Sequence, residues 1–563
     1  MMRIMDAITD KPKWPSKVTE VGWTVWAHWF SEIENNEDLD VSKKMLANLD
    51  QEMLYKAEVF EETGFVSAYD GGIIKSDKAV PEPTRLALRS AAARLEDVSE
   101  SEKDWHPGSD GQVLDLVHPS LFPLVYGLTR VVTDGELSID EGLARCGDGE
   151  TLPYLKRESG HRRSKHRNHS ERRCNQYSHD FQWLPCEVKF RPTTEASNSK
   201  GSFRCEITSY INNLHPHDHR ELYSVIEEII TWTIPLWNAT LSSVDWRLAE
   251  ESIRIKFEDV IYAIDIEKIP EELRPMQRHG ETEDEFEDRK EEWEHALQVA
   301  SIIKPEPGEF KPPKNCYHSE NGGDDVPFAV DLQKRYAEQG IQVIVKLANI
   351  HLTPDKPQYP GGTWHIEGQL NERICATALY YYDSFNITES RLAFRQHFSG
   401  DDTYDIGYEQ NHYEWLNVIF GVENQESTVQ DVGAVNCKEG RLLTFPNIFQ
   451  HRVQPFQLED RTKPGHRKIL ALFLVDPGVR VLSTASVPVQ RRDWWQRMWR
   501  TDGLMDKLPP ELQLMVMERM TGGFPISMEE AKEIRERLMA ERKVFIRENE
   551  VEWKRDVISL CEH

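Results

Sequence analysis

The spacing of apolar and polar positions changes character along the chain. Up to about residue 100 apolar side chains recur at helical intervals: Trp23, Trp26, Trp29 and Phe30 lie three and four apart, Leu49 to Phe60 continues the pattern until Gly64, and Leu86 to Leu95 follows Pro81 and Pro83. These stretches predict helices packed through one stripe. Farther on, Cys186-Glu187-Val188-Lys189-Phe190 and Phe203 to Ile211 read as strands that pair, and Glu221 to Ile234 as a helix. Strand-like and helical readings compete from Val244 to Ile266, and Glu281 to Glu294 predicts a solvated helix, with nine acidic against two basic side chains. Pro305, Pro307, Pro312 and Pro313 mark a loop.

Beyond that loop the period shortens. Gln342 to Leu352, Ile374 to Tyr382, Arg391 to Phe398, Gly440 to Pro446 and the run ending at Val475 are short β-branched or aromatic segments separated by turn residues, as in a sandwich or barrel. Trp494, Trp495 and Trp499 then open a helical tail, with Leu512, Met515 and Val516 on one helix and Met528 to Arg547 on another. The chain is therefore expected to be α+β in four regions: a helical N-terminal region (1–100), a mixed α/β region (101–310), a β-rich core (311–480) and a helical C-terminal region (481–563).

Composition narrows the class. The 563 residues, 39% of them hydrophobic with 16 Trp, can bury a large core, and the formal charge of −28 argues against nonspecific nucleic-acid binding by the whole surface. Eight scattered cysteines lack the spacing of a zinc ribbon or a disulfide scaffold. The first residues hold no apolar core of signal-peptide length, and no run approaches about 18 apolar residues. The expectation is an intracellular, cytoplasmic or nuclear protein with no membrane segment and an unknown oligomeric state.

Candidate chemistry concentrates between Tyr359 and Pro477. In Thr363-Trp364-His365-Ile366-Glu367-Gly368 an imidazole and a carboxylate stand two apart, which puts both on one side of an extended chain. His451, in Phe449-Gln450-His451-Arg452-Val453, supplies a third corner. Two imidazoles and one carboxylate on one face of an octahedron leave the opposite face open, an arrangement suited to non-haem Fe(II). The His-x-Glu pair alone is weak, since it occurs six times in the chain; only His365 is followed by strands and a second His in order. The alternative is that His365 and His451 are buried core imidazoles and that Glu367 pairs with a base such as Arg373.

The order His-x-Glu, intervening strands, Phe445-Pro446 before His451-Arg452-Val453, and Gly465-His466-Arg467 before a hydrophobic strand resembles the double-stranded β-helix (jelly-roll, cupin-like) core of the Fe(II)/2-oxoglutarate-dependent oxygenases. Phrases along the whole chain resemble an uncharacterised, mainly fungal family of unknown function that carries this core: Lys103-Asp104-Trp105-His106-Pro107-Gly108-Ser109, Leu114-Asp115-Leu116-Val117-His118-Pro119-Ser120-Leu121, Ser209-Tyr210-Ile211-Asn212-Asn213-Leu214-His215-Pro216 and Trp364-His365-Ile366-Glu367-Gly368. The resemblance implies His365, Glu367 and His451 as ligands of Fe(II), 2-oxoglutarate as cosubstrate, and Arg467 as the residue that forks onto its C5 carboxylate. Lys468 and Arg461 are rivals for that last role, and strand parity does not choose between them. It also implies oxidation of a C–H bond in an unknown metabolite or protein substrate. Two other readings stay open: a cupin-like metal enzyme that does not use 2-oxoglutarate, and a non-catalytic binding scaffold.

Other clusters have blander readings. His106 and His118, each before a proline in an apolar loop, are expected to be buried turn residues, with a metal role as the minor alternative. Residues 156–173 carry eight Lys or Arg residues and read as a solvated basic loop, or else a nuclear-localisation or anion patch. The string His161, His166, His169, Cys174, His179, Cys186 has no Cys-x-x-Cys half-site for zinc. His215, His217 and His219 fall in a loop before a helix and are kept as a second metal or substrate site. Thr363, Asn371, Arg373, Tyr380, Tyr382 and Arg395 are polar residues that could line a pocket.

Overall fold

The computed structural model describes residues 1–20, 24–36, 39–155, 176–193, 203–244, 254–312, 330–403, 405–409, 412–501, 508–521 and 524–560. Trp23, Cys174, Cys316, Cys561 and the basic loop with His161, His166 and His169 lie outside the described residues.

Helices and antiparallel sheets make up the fold. The helices that position the site or its frame are α1 (Met2–Thr9), α2 (Lys43–Thr63), α3 (Glu82–Glu96), α4 (Arg220–Ser242), α5 (Glu283–Ala300) and α6 (Met528–Arg555). The strands are β1 (Val66–Tyr69), β2 (Ile73–Ser76), β3 (Val113–Val117), β4 (Cys186–Pro192), β5 (Phe203–Ile207), β6 (Ile341–Leu352), β7 (Ile374–Phe385), β8 (Arg391–His397), β9 (Val429–Asn436), β10 (Leu442–Pro446), β11 (Gln450–Val453) and β12 (Gly465–Val475). A nine-stranded sheet runs β1-β2-β10-β7-β12-β6-β4-β5, with β3 also paired to β6. A three-stranded sheet runs β9-β8-β11.

Three layers explain the doubly apolar strands. On the outer face of the large sheet, Val343, Val345 and Leu347 of β6, Leu470, Leu472 and Leu474 of β12, and Ala376, Ala378, Tyr380 and Tyr382 of β7 pack under Leu88 of α3 and the Ile226, Ile230 and Trp237 stripe of α4. On the inner face, Ile344, Leu379, Tyr381, Ala471 and Phe473 meet Leu392 and Phe394 of β8 and Val435 of β9. A strand covered on both sides loses the alternation that would mark its buried face. This is why parity along β12 is uninformative in the sequence.

Several boundaries differ from expectation. The N-terminal region is not wholly helical, because β1 and β2 join the large sheet through β10. Helix α4 passes Pro235 and continues to Ser242. An internal proline costs about 3 kcal/mol, but Leu236, Trp237 and Ala239 extend the stripe that is buried on the sheet, which offsets it. Helix α2 does end at Gly64, in the left-handed conformation of a C-cap. Helix α6 starts with a capping box of Ser527 and Glu530 and outlasts its expected end at Arg547, reaching Arg555. No helix among the described residues is long and apolar enough to cross a membrane.

Buried ion pairs tie the N-terminus to the sheet. Lys75 of β2 bonds Asp6 and Asp10 at 2.6 Å each. Arg441, fully buried beside β10, takes Asp77 through two nitrogens at 2.7 and 2.9 Å and Asp10 at 2.8 Å, while Lys438 reaches Asp77 at 2.7 Å. Burial opposes ionisation of Asp10 and Asp77, but Lys75 and Arg441 at Asp10, and Arg441 and Lys438 at Asp77, outweigh it and hold both carboxyls below their ordinary value. Asp6 goes the other way, since burial raises it more than Lys75 lowers it.

Candidate metal centre

His365 is placed by backbone pairing with the three-stranded sheet. The His365 N–H donates to the His451 carbonyl (3.2 Å) and the His451 N–H donates back (3.0 Å), which makes the His365 segment a bridge partner of β11. Upstream, the Gly362 N–H donates to the Val453 carbonyl at 2.9 Å. Gly361, at φ +92°, lets the chain pass so close that a Cβ there would lie 2.8 Å from the same carbonyl oxygen. Glu367, two residues on, is fixed by Asn447: its N–H donates to Asn447 Oδ1, and Asn447 Nδ2 donates to its carbonyl, both at 2.9 Å.

The result is convergence. Glu367 Oε1 is 3.3 Å from His451 Nε2 and 3.7 Å from His365 Nε2, and one ligand atom from each of the three residues lies within 4.8 Å of the others. His451 is 3% exposed as a side chain and Glu367 15%, while His365 at 30% faces outward more. The Thr363 carbonyl lies 2.8 Å from His365 Nδ1 and accepts its proton, which leaves Nε2 with a free lone pair toward Glu367. Burial lowers the affinity of His365 for a proton, but the neighbouring Glu367 carboxylate outweighs it and the pKa is raised. Burial and the His365 charge lower His451. Burial alone would raise Glu367, yet the two imidazoles beside it favour its charged form and hold it well below the carboxylate range. Two nitrogen donors and an ionised oxygen donor, aimed at one point, are a donor set that fits a divalent transition metal.

Arg373, the alternative partner of Glu367, instead reaches the Tyr177 hydroxyl at 3.0 Å. Arg467 lies opposite Ile350 on the β6–β12 ladder. It is 2% exposed, its Nη1 donates to Ser390 Oγ at 2.5 Å, and its guanidinium sits 5.5 Å from the Tyr381 ring centre and 5.2 Å from that of Phe456. Its Nε is buried without a partner, and no carboxylate among the described residues pairs with it. The rivals are differently placed: Lys468 pairs with Glu96 at 2.7 Å and Asp383 at 3.3 Å, and Arg461 reaches Gln457 at 2.9 Å near the surface.

Pocket lining needs correction at two positions. Tyr380 and Tyr382 belong to the outer layer beneath α4, and the inner position between them is Tyr381. Asn371 is bonded to the backbone of Ser178, whereas Arg395 stacks 4.5 Å from the Trp364 ring, with Arg452 also at 4.5 Å. Helix α6 lies across both sheets. Arg535 bonds Asp104 at 2.5 and 2.9 Å, Arg542 bonds Glu372 at 2.5 Å and stacks over Trp183, Asn549 accepts from Gln450 at 3.2 Å, and Glu550 pairs with Arg395.

His106, Asp115 and His118 form a second group within 4.8 Å. His106 Nδ1 lies 2.7 Å from Asp115 Oδ2, and the Ser120 N–H donates to His118 Nδ1 at 3.1 Å. With Nδ1 accepting, the neutral His118 ring carries its proton on Nε2, so that nitrogen donates rather than ligates. Burial pushes His118 down to about 3, and Arg535 stands 3.9 Å from Asp115. His118 is buried as expected of it, whereas His106 is half-buried, and the group is tied together by these hydrogen bonds. His215, His217 and His219 do not converge: His215 packs on Trp494 and His217 reaches Asp140. Cys146, Cys186, Cys205, Cys375 and Cys437 are free.

Sequence reasoning passed over Asn447, Asp115 and Lys346. The legible signal for the last two was a single charge inside an apolar strand, in Leu114-Asp115-Leu116 and Val345-Lys346-Leu347.

Comparison with solved structures gives distant likenesses. IDO from Bacillus thuringiensis matches at 11% identity over 25% of this chain and 52% of that one, with a TM-score of 0.16. The Fe(II)/(alpha)ketoglutarate-dependent dioxygenase TqaL matches at 15% identity over 25% of this chain and 46% of its own, with a TM-score of 0.15. EvdO2 from Micromonospora carbonacea var. aurantiaca, solved with 2-oxoglutarate, matches at 12% identity over 24% of this chain and 55% of its own, with a TM-score of 0.13. The chain thus spans about half the length of these structures. No curated protein matches. The family model of DUF4246, protein of unknown function, covers residues 43–498, and the chain belongs to that family.

Proposed function

We propose that the protein is an Fe(II)- and 2-oxoglutarate-dependent oxygenase that hydroxylates or otherwise oxidises a C–H bond of a small metabolite or a protein side chain. The observation that carries the reading is a pairing of features on inner faces: a free His-Glu-His donor set, and a buried guanidinium without a carboxylate of its own. Strand order agrees with it. The ladder β10-β7-β12-β6 and the set formed by the His365 segment, β11, β8 and β9 have the strand order expected of the two halves of a double-stranded β-helix, which supports the reading.

His365 Nε2, Glu367 Oε1 and His451 Nε2 would hold the metal, which with 2-oxoglutarate and dioxygen supplies the oxidation and releases succinate and carbon dioxide. Glu367 stays ionised because the imidazoles of His365 and His451 beside it favour its charged form. Asn447 keeps the Glu367 backbone in register, and the Thr363 carbonyl fixes the tautomer of His365. Arg467 offers a forked pair of donors to the distal carboxylate of the cosubstrate, with Ser390 orienting it and the rings of Tyr381 and Phe456 covering its faces against water.

The test is an anaerobic titration with Fe(II) and then 2-oxoglutarate. The expected result is a weak visible charge-transfer band saturating at one metal and one cosubstrate per chain. A chain that binds one metal without developing the band on adding 2-oxoglutarate would instead be a cupin-like enzyme of other chemistry, or a scaffold.

A further inference from the structure

One inner-face cation has no part in the reading above. Lys346 stands in the middle of β6, opposite Ala471 of β12, and is half-buried between the fully covered Val345 and Leu347. It alternates with Ile344, a member of the inner core, so its side chain belongs to the inner face. Ile350, four residues along, faces Arg467. Lys346 and Arg467 therefore occupy one face of one strand pair, separated by four residues, or roughly 13 Å of strand.

No carboxylate among the described residues lies within ion-pair distance of Lys346. The charged and titratable groups that feel it are His365 of the triad, and Asp115 and His118 on and beside β3. Asp115 is already bonded to His106 at 2.7 Å and has Arg535 at 3.9 Å. Glu367 lies 3.3 Å from His451 and 3.7 Å from His365. A half-buried ammonium with no carboxylate of the chain beside it is open to a counter-charge that arrives with something that binds. A small dicarboxylate anchored at Arg467 and at the triad has no third acid group to give it.

We propose that Lys346 is the seat for an anionic oxygen group, a carboxylate or phosphate, on the substrate that is oxidised at the triad; this rests on the oxygenase reading above. The substrate class is then a small organic acid or phosphate ester rather than a neutral molecule. Lys346 is a binding residue, with no proton to transfer in the reaction.

The experiment is calorimetric titration of the full chain with acetate and, separately, inorganic phosphate, anaerobically with Fe(II) and saturating 2-oxoglutarate. Wild type is compared with Lys346→Met, Lys346→Gln and Lys346→Arg; two neutral variants are carried so that a folding failure of one leaves the other. The expected result is binding of one probe by wild type, a loss of about tenfold or more in the neutral variants, and retention within about threefold in Lys346→Arg. Stronger binding of acetate than phosphate assigns a carboxylate, and the reverse assigns a phosphate. No binding by wild type, or equal binding by wild type and the neutral variants, overturns the proposal. A fall in 2-oxoglutarate affinity in Lys346→Met also overturns it, because the lysine would then hold the cosubstrate. Lys346-dependent anion binding by a chain that does not bind 2-oxoglutarate would sink the oxygenase reading while leaving the anion seat in place.

Discussion

Two groups of charge in this protein are built on opposite plans. Beside the N-terminus, Lys75, Lys438 and Arg441 each meet at least one carboxylate from Asp6, Asp10 or Asp77. On the inner face of the sheets, Arg467 and Lys346 meet none among the described residues, although Arg467 is as deeply buried as Lys75. A cation matched by the chain's own acids serves the fold, whereas one left unmatched is, on the function proposed above, held ready for an acid that comes from outside. The difference separates architecture from binding without reference to any relative.

The comparison is broken most directly by removing one cation from each cluster. Arg441→Met removes the buried cation shared by Asp10 and Asp77, which keep only Lys75 and Lys438, and is expected to cost about 1.5–3 kcal/mol in urea unfolding. Arg467→Met strands no carboxylate and is expected to leave stability within about 1 kcal/mol of wild type, or to raise it. Equal losses in the two variants would erase the distinction.

The donor set is tested next. His451→Ala or His365→Ala is expected to reduce Fe(II) affinity by at least about a hundredfold, some 2.7 kcal/mol, with the metal-free unfolding transition unchanged. Iron retained by both variants would end the triad assignment. Arg467→Met should then lower 2-oxoglutarate affinity about tenfold or more, about 1.4 kcal/mol, with metal content intact, as read by the charge-transfer titration. Lys468→Met and Arg461→Met should leave that affinity as it is, because the first is engaged by Glu96 and the second lies near the surface.

The smallest expected effect is on acid stability. Asp10 and Asp77 have folded-state pKa values below the ordinary 3.8, so the stability they add is complete above that value and is lost as pH falls beneath it. Asp6, raised by burial, takes up a proton more readily when folded and opposes the trend. With two groups against one, the melting temperature of wild type should fall as pH drops below 3.8, and Arg441→Met should flatten the fall. A melting temperature unchanged through that range would mean the network adds little.

Much of the β region was legible because its strands are long, β-branched and punctuated by turn residues. The run from Gln342 to Leu352 and the run ending at Val475 pair with each other over ten positions. What the sequence could not give was the face of each strand, since helices cover one side of the large sheet and the small sheet covers the other; Tyr380 and Tyr382 were misjudged for that reason. His365, Glu367 and His451 could be picked out by their order, but their meeting depends on a backbone bridge and on Asn447, which reads locally as an ordinary turn residue. Lys346 and Asp115 were visible as lone charges in apolar strands, yet only the register of β3, β6 and β12 turns them inward together.

Helix α6 begins thirty residues past the end of the family match at residue 498. A fragment trimmed to that match would lose the partners of Asp104, Glu372 and Arg395, and would expose Trp183 and Gln450 where Arg542 and Asn549 now lie. Expression of the matched segment by itself would therefore report on a different object, with the helix that crosses both sheets missing and three acid–base contacts severed. Assays of turnover or selectivity belong on the chain that keeps its last helix.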